Sequence, residues 1–200
     1  MQHFKKILIA ISLLTLLSFN FPHSNYKKLP YSYNDESHLI KYVHPDKAYT
    51  YWEFDSAFPD GVIYSYGTKQ KGIKFKSILD SKLFIGCKPM LCSKYIAYVY
   101  NGNVGYVTNA EELKDFIGKI DNLQEAVLLA RATYDLRIDA NIKGGSYLIE
   151  SDTVYDLRLT KFISCPETKK SFYLKIEKNK GIVDMATQAT FYKGTGCLVY

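Results

Sequence analysis

Alternation of apolar and polar side chains in the C-terminal third of the chain constrains the fold most strongly. Residues 154–163 alternate, and their apolar positions include Tyr155, Leu157 and Leu159. The alternation is repeated further along the chain by Phe172, Leu174 and Ile176. Because successive side chains of a strand point to opposite faces, each run predicts a half-buried antiparallel strand. A turn at residues 179–181 leads into a third strand, so a meander is expected.

Two short helices are predicted between an N-terminal group of strands and this meander. The first has an apolar face at i, i+3, i+4 and i+7, formed by Leu113, Phe116, Ile117 and Ile120. Asn109 and Glu112 have the spacing of a capping box at its start. The apolar face of the second is formed by Leu123, Ala126, Val127 and Ala130. This order predicts an α+β fold, an antiparallel sheet (meander) with a short helical pair packed on one face.

The start of the chain has the composition of a secretory signal. Lys5 and Lys6 precede an apolar run at residues 7–19, and a polar, helix-breaking stretch follows at residues 20–24. The run is shorter than the roughly 20 apolar residues of a membrane span. Residues 1–23 are therefore expected to be a signal peptide, and the protein to be exported to a periplasmic or extracellular location. Because no Ala-x-Ala cleavage motif follows, an uncleaved anchor through residues 7–21 is the alternative.

The rest of the chain is predicted to form one domain. Residues 24–40 are polar and contain Pro30, which predicts a linker or extended arm, and residues 41–200 are expected to be a single α+β domain. The net charge of +6 falls to +4 without Lys5 and Lys6. Acidic and basic residues alternate instead of forming a basic stripe, which argues against a nucleic-acid partner.

The four cysteines all follow the predicted signal segment: Cys87, Cys92, Cys165 and Cys197. In an oxidising compartment an even number predicts two disulfides. Three pairings are possible, and the pairing Cys87–Cys92 with Cys165–Cys197 is favoured. A four-thiolate zinc site is the alternative, but the Cys-x4-Cys spacing differs from the Cys-x2-Cys pairs of such sites.

The sequence singles out no catalytic residue, metal site or cofactor. His44 beside Cys87 or Cys92 would be a thiol site only if those thiols were free. A loose metal candidate consists of His38 and His44 with Asp46, or with Asp35 and Glu36. Carboxylates that could supply an acid–base pair are Asp135, Asp139, Glu150, Asp152 and Asp156. None of them lies in a recognisable apolar pocket, and a solvated face of ion pairs is the preferred interpretation.

The chain is rich in tyrosine, with 18 among its 200 residues. A possible binding surface is formed by Tyr49, Tyr51, Trp52 and Phe54, because aromatic rings with polar tips suit sugar stacking and protein recognition. The competing interpretation is that these aromatics fill the faces of a sheet, where tyrosine is common.

Three hypotheses about function follow. The preferred one is an exported, disulfide-stabilised domain that binds a protein or glycan partner and has no catalytic activity. The second is an exported hydrolase whose site is assembled from residues distant in sequence. The third is a membrane-tethered accessory protein, and contact with a membrane is expected only if the N-terminal segment stays uncleaved.

Overall fold

The computed structural model describes residues 26–57, 60–85, 93–140 and 144–197. The predicted signal segment, Cys87 and Cys92 lie outside these ranges. Among the described residues, none of the helices is long and apolar enough to cross a membrane. The predicted α+β fold is confirmed, but the strands form two five-stranded antiparallel sheets instead of one.

The first sheet contains the C-terminal meander in the order β1-β7-β8-β9-β10. Its strands are β1 (Lys27–Lys28), β7 (Tyr147–Glu150), β8 (Val154–Ser164), β9 (Glu167–Glu177) and β10 (Gly181–Lys193). Tyr155, Leu157 and Leu159 are buried, as their alternation predicts. The β9–β10 pairing is interrupted by three register shifts, so the edge strand β10 is irregular.

The second sheet has the order β3-β2-β5-β4, with β6 also paired to β5. Its strands are β2 (Tyr51–Ala57), β3 (Asp60–Gly67), β4 (Phe84–Ile85), β5 (Ser93–Tyr100) and β6 (Asn103–Val107). Strand β2 lies between β3 and β5, so both of its edges are hydrogen-bonded. This central position determines how its aromatic side chains are distributed.

Three α-helices complete the fold of the described residues: α1 (Glu36–Leu39), α2 (Ala110–Ile117) and α3 (Leu123–Tyr134). At the start of α2 the Asn109 side chain accepts the Glu112 N–H at 3.0 Å, as predicted. The Glu112 carboxylate, however, accepts the Thr108 N–H at 2.6 Å instead of closing a capping box. The complete capping box is at α3, between Asn122 and Glu125.

One hydrophobic cluster joins both sheets and both longer helices. Representative members are Phe54 in β2, Phe116 in α2, Leu128 in α3, and Leu157 in β8. Since these side chains belong to the same buried cluster, the two sheets share a core.

The predicted linker or extended arm at residues 24–40 is wrong for the part that the structure describes. Leu29, Leu39 and Ile40 are buried in the shared core. The Asn34 amide donates to the Ile138 carbonyl at 2.7 Å and accepts the Ile138 N–H at 2.8 Å. The polar composition was misleading because the few apolar side chains of this segment are the ones that point inward.

Candidate functional site

The predicted binding surface of Tyr49, Tyr51, Trp52 and Phe54 is not exposed to solvent, because three of its four members are buried. Trp52 is 1% exposed and Phe54 is fully buried. Tyr51 is also buried, and it lies on the opposite face of β2, where its hydroxyl donates to Glu53 at 2.5 Å. The physical reason is that alternate residues of a central strand occupy opposite faces, both of which are covered here. The competing interpretation, that these aromatics fill sheet faces, is the correct one for three of the four.

The structure instead assembles a group of tyrosines around Trp52, and we call this group the tyrosine cluster. Its members are Tyr49, Tyr64, Tyr66, Tyr98 and Tyr100. Tyr64 and Tyr66 come from β3, with ring centroids 5.3 Å and 6.1 Å from Trp52. Tyr49, which precedes β2, has its ring 4.8 Å from Tyr98 and 5.4 Å from Tyr100. The cluster therefore draws on two strands and a loop.

Helix α2 covers only part of this face. Phe116 of α2 contacts both Trp52 and Tyr49, with ring centroids at 5.6 Å and 4.7 Å. The helix has eight residues, so about 12 Å of sheet lies beneath it. Beyond its reach the side chains become accessible, and Tyr66 is 57% exposed and Tyr100 36% exposed. The rings therefore extend from the buried Trp52 side chain to Tyr66 and Tyr100, which are exposed to solvent.

A glycine leaves the space that one ring of the tyrosine cluster occupies. Gly105 of β6 lies directly opposite Tyr98 of β5. A Cβ atom at Gly105 would overlap the phenol ring of Tyr98. Any other residue at this position would therefore force the ring to move.

The hydroxyl groups of the cluster are close enough to influence one another. Burial raises the pKa of Tyr49 to about 12, and the neighbouring Tyr98, Tyr100 and Asp115 add to the effect. Tyr49 is therefore a neutral donor at all physiological pH values. Ring faces combined with neutral hydroxyls and a nearby carboxylate can both stack on an apolar surface and exchange hydrogen bonds with a polar ligand.

A second constellation, missed from the sequence, lies on the other face of β2. Glu53 and Asp55 are 3% and 5% exposed. Lys69 Nζ donates to both Glu53 oxygens, at 3.0 Å and 3.1 Å. Burial and the charge of Glu53 raise the pKa of Asp55 to about 7, against the opposing effect of Lys69. The i, i+2 spacing of these carboxylates is visible in the sequence, but their burial is not.

A buried ion-pair group joins α1, α3 and β5. The Glu36 carboxylate pairs with Arg131 and, at 3.2 Å, with Lys94. Burial opposes ionisation, but the two cations outweigh it and lower the pKa of Glu36. A cavity of about 440 Å³ adjoins this group and is also lined by Lys82 and Lys161. The charges are mixed, and Lys161 already donates to the Tyr134 carbonyl at the end of α3.

The other residues considered from the sequence are dispersed. Three of the candidate carboxylates are in ion pairs: Asp135 with Arg137, Asp139 with Lys169, and Glu150 with Lys178. The metal candidate is also not assembled, since within the described ranges no group of three or more His, Cys, Asp or Glu side chains could hold an ion.

The disulfide between Cys165 and Cys197 is confirmed. It ties the segment that follows β10 to the turn between β8 and β9, as the favoured pairing predicts. The Glu167 N–H also donates to the Gly196 carbonyl at 2.9 Å across this junction.

Comparison of the chain with protein-family models, with curated proteins and with solved structures gives no match.

Proposed function

We propose that the protein is an exported, disulfide-stabilised binding domain without catalytic activity, and that its tyrosine cluster binds a neutral glycan chain. The observation that carries the proposal is the cluster itself, in which exposed Tyr66 and Tyr100 continue a set of packed rings around Trp52. Sugar rings present apolar C–H faces and polar edges, which match phenol faces and hydroxyls.

The composition of the cluster favours a glycan over a protein partner. Its five members are all tyrosines, and hot spots of protein interfaces additionally draw on arginine and buried anchors. Asp115, the charged side chain that acts on Tyr49, can accept hydrogen bonds from sugar hydroxyls. The packing of Tyr49 and Tyr98 against Phe116 fixes these rings before a ligand arrives, which reduces the entropic cost of binding.

The arrangement of the carboxylates supports a role without catalysis. Asp55 has a pKa raised to about 7, but Asp55 and its neighbour Glu53 lie on the face of β2 opposite to Trp52 and are almost completely buried. A substrate seated on the tyrosine cluster would therefore be separated from them by the sheet.

Trp52 provides a direct test because it is the single tryptophan of the chain. Its fluorescence is recorded while hexasaccharides of β-1,4-linked glucose, β-1,4-linked N-acetylglucosamine and α-1,4-linked glucose are added. A saturable change in intensity or wavelength with one of them is the expected result. If none of the three changes the fluorescence and a protein ligand does, the cluster is a protein-binding surface instead.

Export is tested separately by peptide mapping without reduction, on protein recovered from its native compartment. A mature N-terminus near residues 20–25 with two disulfides is expected. An intact Met1 with an oxidised Cys165–Cys197 pair would indicate the uncleaved anchor, and free thiols would show that the proposed compartment is wrong.

A further inference from the structure

The outer face of β2 holds two carboxylates and one cation. Glu53 and Asp55 are separated by one residue, so they lie side by side on this face, and both are at most 5% exposed. Lys69 is the cation beside them, and it donates both of its hydrogen bonds to Glu53. One positive charge cannot balance two buried negative charges, so ionisation of both carboxylates is unfavourable.

The cover over these carboxylates is the segment that follows β3, residues 68–83, which we call the covering segment. Phe75 stacks on Tyr51 with ring centroids 6.1 Å apart, and the Lys69 ammonium lies 4.3 Å from the Phe75 ring. The Lys76 N–H donates to the Tyr106 hydroxyl at 2.8 Å. Phe75 and Ile78 pack on a small cluster built from Ala57, Tyr95 and Ala97, separate from the main core.

The C-terminal end of the covering segment is hydrogen-bonded to the rest of the domain through backbone carbonyls. Ser81 donates to the Lys94 carbonyl at 2.6 Å, and the Lys82 N–H donates to the Thr108 carbonyl at 2.7 Å. Residues 68–80 contain no helix or strand, and the side chain of Leu79 is 66% exposed. Such a segment can open locally without unfolding the shared core.

The groups that face the two carboxylates come from every neighbouring element. Tyr51 of β2 donates to Glu53, Tyr95 of β5 is hydrogen-bonded to Asp55, and Lys69 belongs to the covering segment. On β3, Ser65 lies opposite Glu53 in the strand register and is not titratable. Burial raises the pKa of Tyr51 to about 12, so its hydroxyl stays neutral, and Asp55 is the facing group whose pKa is raised to near neutrality.

We propose that Glu53 and Asp55 form a proton-operated latch, in which a proton held by the pair keeps the covering segment closed and its loss allows the segment to open. Closing buries both carboxylates, and with the proton bound a single negative charge faces Lys69. When the proton leaves, the second charge is buried without a cation hydrogen-bonded to it. Opening of the segment then hydrates both carboxylates.

The sign of the effect follows from the pKa of Asp55, which burial raises to about 7 in the closed form. A hydrated aspartate has a pKa near 3.9. The closed form therefore holds the proton more tightly, and rising pH favours the open form by up to about tenfold per pH unit between pH 4 and 7. Above about pH 8 both forms have lost the proton and the dependence ends.

Hydrogen exchange of the full chain, expressed as protection factors at pH 5, 6, 7 and 8, tests the latch. Protection of residues 68–80 is expected to fall by at least tenfold between pH 5 and 7 and to stay well below the protection of α3 at every pH, because the segment opens without global unfolding. Asp55→Asn removes the second charge and should give protection that is independent of pH in this range. Asp80→Asn, which removes an exposed carboxylate of the same segment, should behave like wild type.

A wild-type segment whose protection does not change with pH would overturn the proposal. So would protection of residues 68–80 equal to that of α3, since the segment would then exchange only by global unfolding. If Asp55→Asn does not fold, the wild-type comparison of residues 68–80 with α3 still decides between these outcomes.

Discussion

Glu36 and Arg131 form a buried ion pair that joins the N-terminal segment to the longest helix, although 95 positions separate them in sequence. Lys94 approaches the same carboxylate at 3.2 Å from β5. Three parts of the chain thus meet at one carboxylate, which explains why the N-terminal segment packs on the domain.

Replacing Glu36 should be costly because it would leave Arg131 buried without its anion. Glu36→Ala is expected to lower the free energy of unfolding by about 3 kcal/mol, measured by urea denaturation. Asp135→Asn is the matched control, because the Asp135–Arg137 pair is exposed and should contribute less than about 1 kcal/mol. Equal losses in the two variants would contradict a structural role for the buried pair.

The Cys165–Cys197 disulfide closes a loop with a sequence separation of 32. In the chain-entropy model such a loop contributes about 3–4 kcal/mol, so Cys165→Ser combined with Cys197→Ser should lower the unfolding free energy by that amount. Thr195→Ser, in the same turn but leaving the cross-link intact, should have little effect. A double variant as stable as wild type would show that the cross-link does not restrain the unfolded chain.

Gly105 tests the packing of the tyrosine cluster. A methyl group at this position meets the Tyr98 ring, so Gly105→Ala is expected to lower stability by about 1–3 kcal/mol and to displace that ring. The control is Gly61→Ala, since a Cβ at Gly61 has no described atom within 4 Å. Thermal unfolding reports the loss of stability, and the fluorescence of Trp52 reports the displacement of the ring. A Gly105→Ala variant that changes neither would contradict the close contact between Gly105 and the Tyr98 ring.

The buried carboxylates should also make global stability depend on pH. Because the pKa of Asp55 is raised to about 7, the folded state keeps its proton where the unfolded state has lost it. Stability is therefore expected to fall as pH rises from 4 to 7 and then to level off, with about 2 kcal/mol lost between pH 5 and 7. Asp55→Asn should remove most of this slope. An unchanged slope in Asp55→Asn would assign the effect to other groups, such as Glu125, whose pKa burial also raises.

Local sequence patterns predicted the strands and helices well, because strand alternation and helix caps depend on residues that are close in sequence. The alternation around Leu157 and the Asn109 cap of α2 are both found in the structure. The tight turn at Asn101 and Gly102 has positive φ at both residues, 50° and 76°, which local sequence can specify.

The sites could not be predicted because they depend on which strands meet. Sequence proximity grouped Tyr51 with Trp52, yet the strand places them on opposite faces. Tyr66 and Tyr98 meet Trp52 only through the pairing of β3 and β5 with β2. Likewise, the i, i+2 pair of Glu53 and Asp55 becomes unusual only when the covering segment buries it.

The most direct test of the proposed function is calorimetric titration of the three hexasaccharides into wild type and two variants. The first variant combines Tyr66→Ala and Tyr100→Ala, the exposed members of the tyrosine cluster. The second is Tyr31→Ala, which removes a phenol that is 68% exposed and outside the cluster. The account predicts that one hexasaccharide binds wild type and Tyr31→Ala equally, and the double variant at least tenfold more weakly, about 1.4 kcal/mol. Equal affinity in all three proteins, or no binding of any hexasaccharide to wild type, would contradict it.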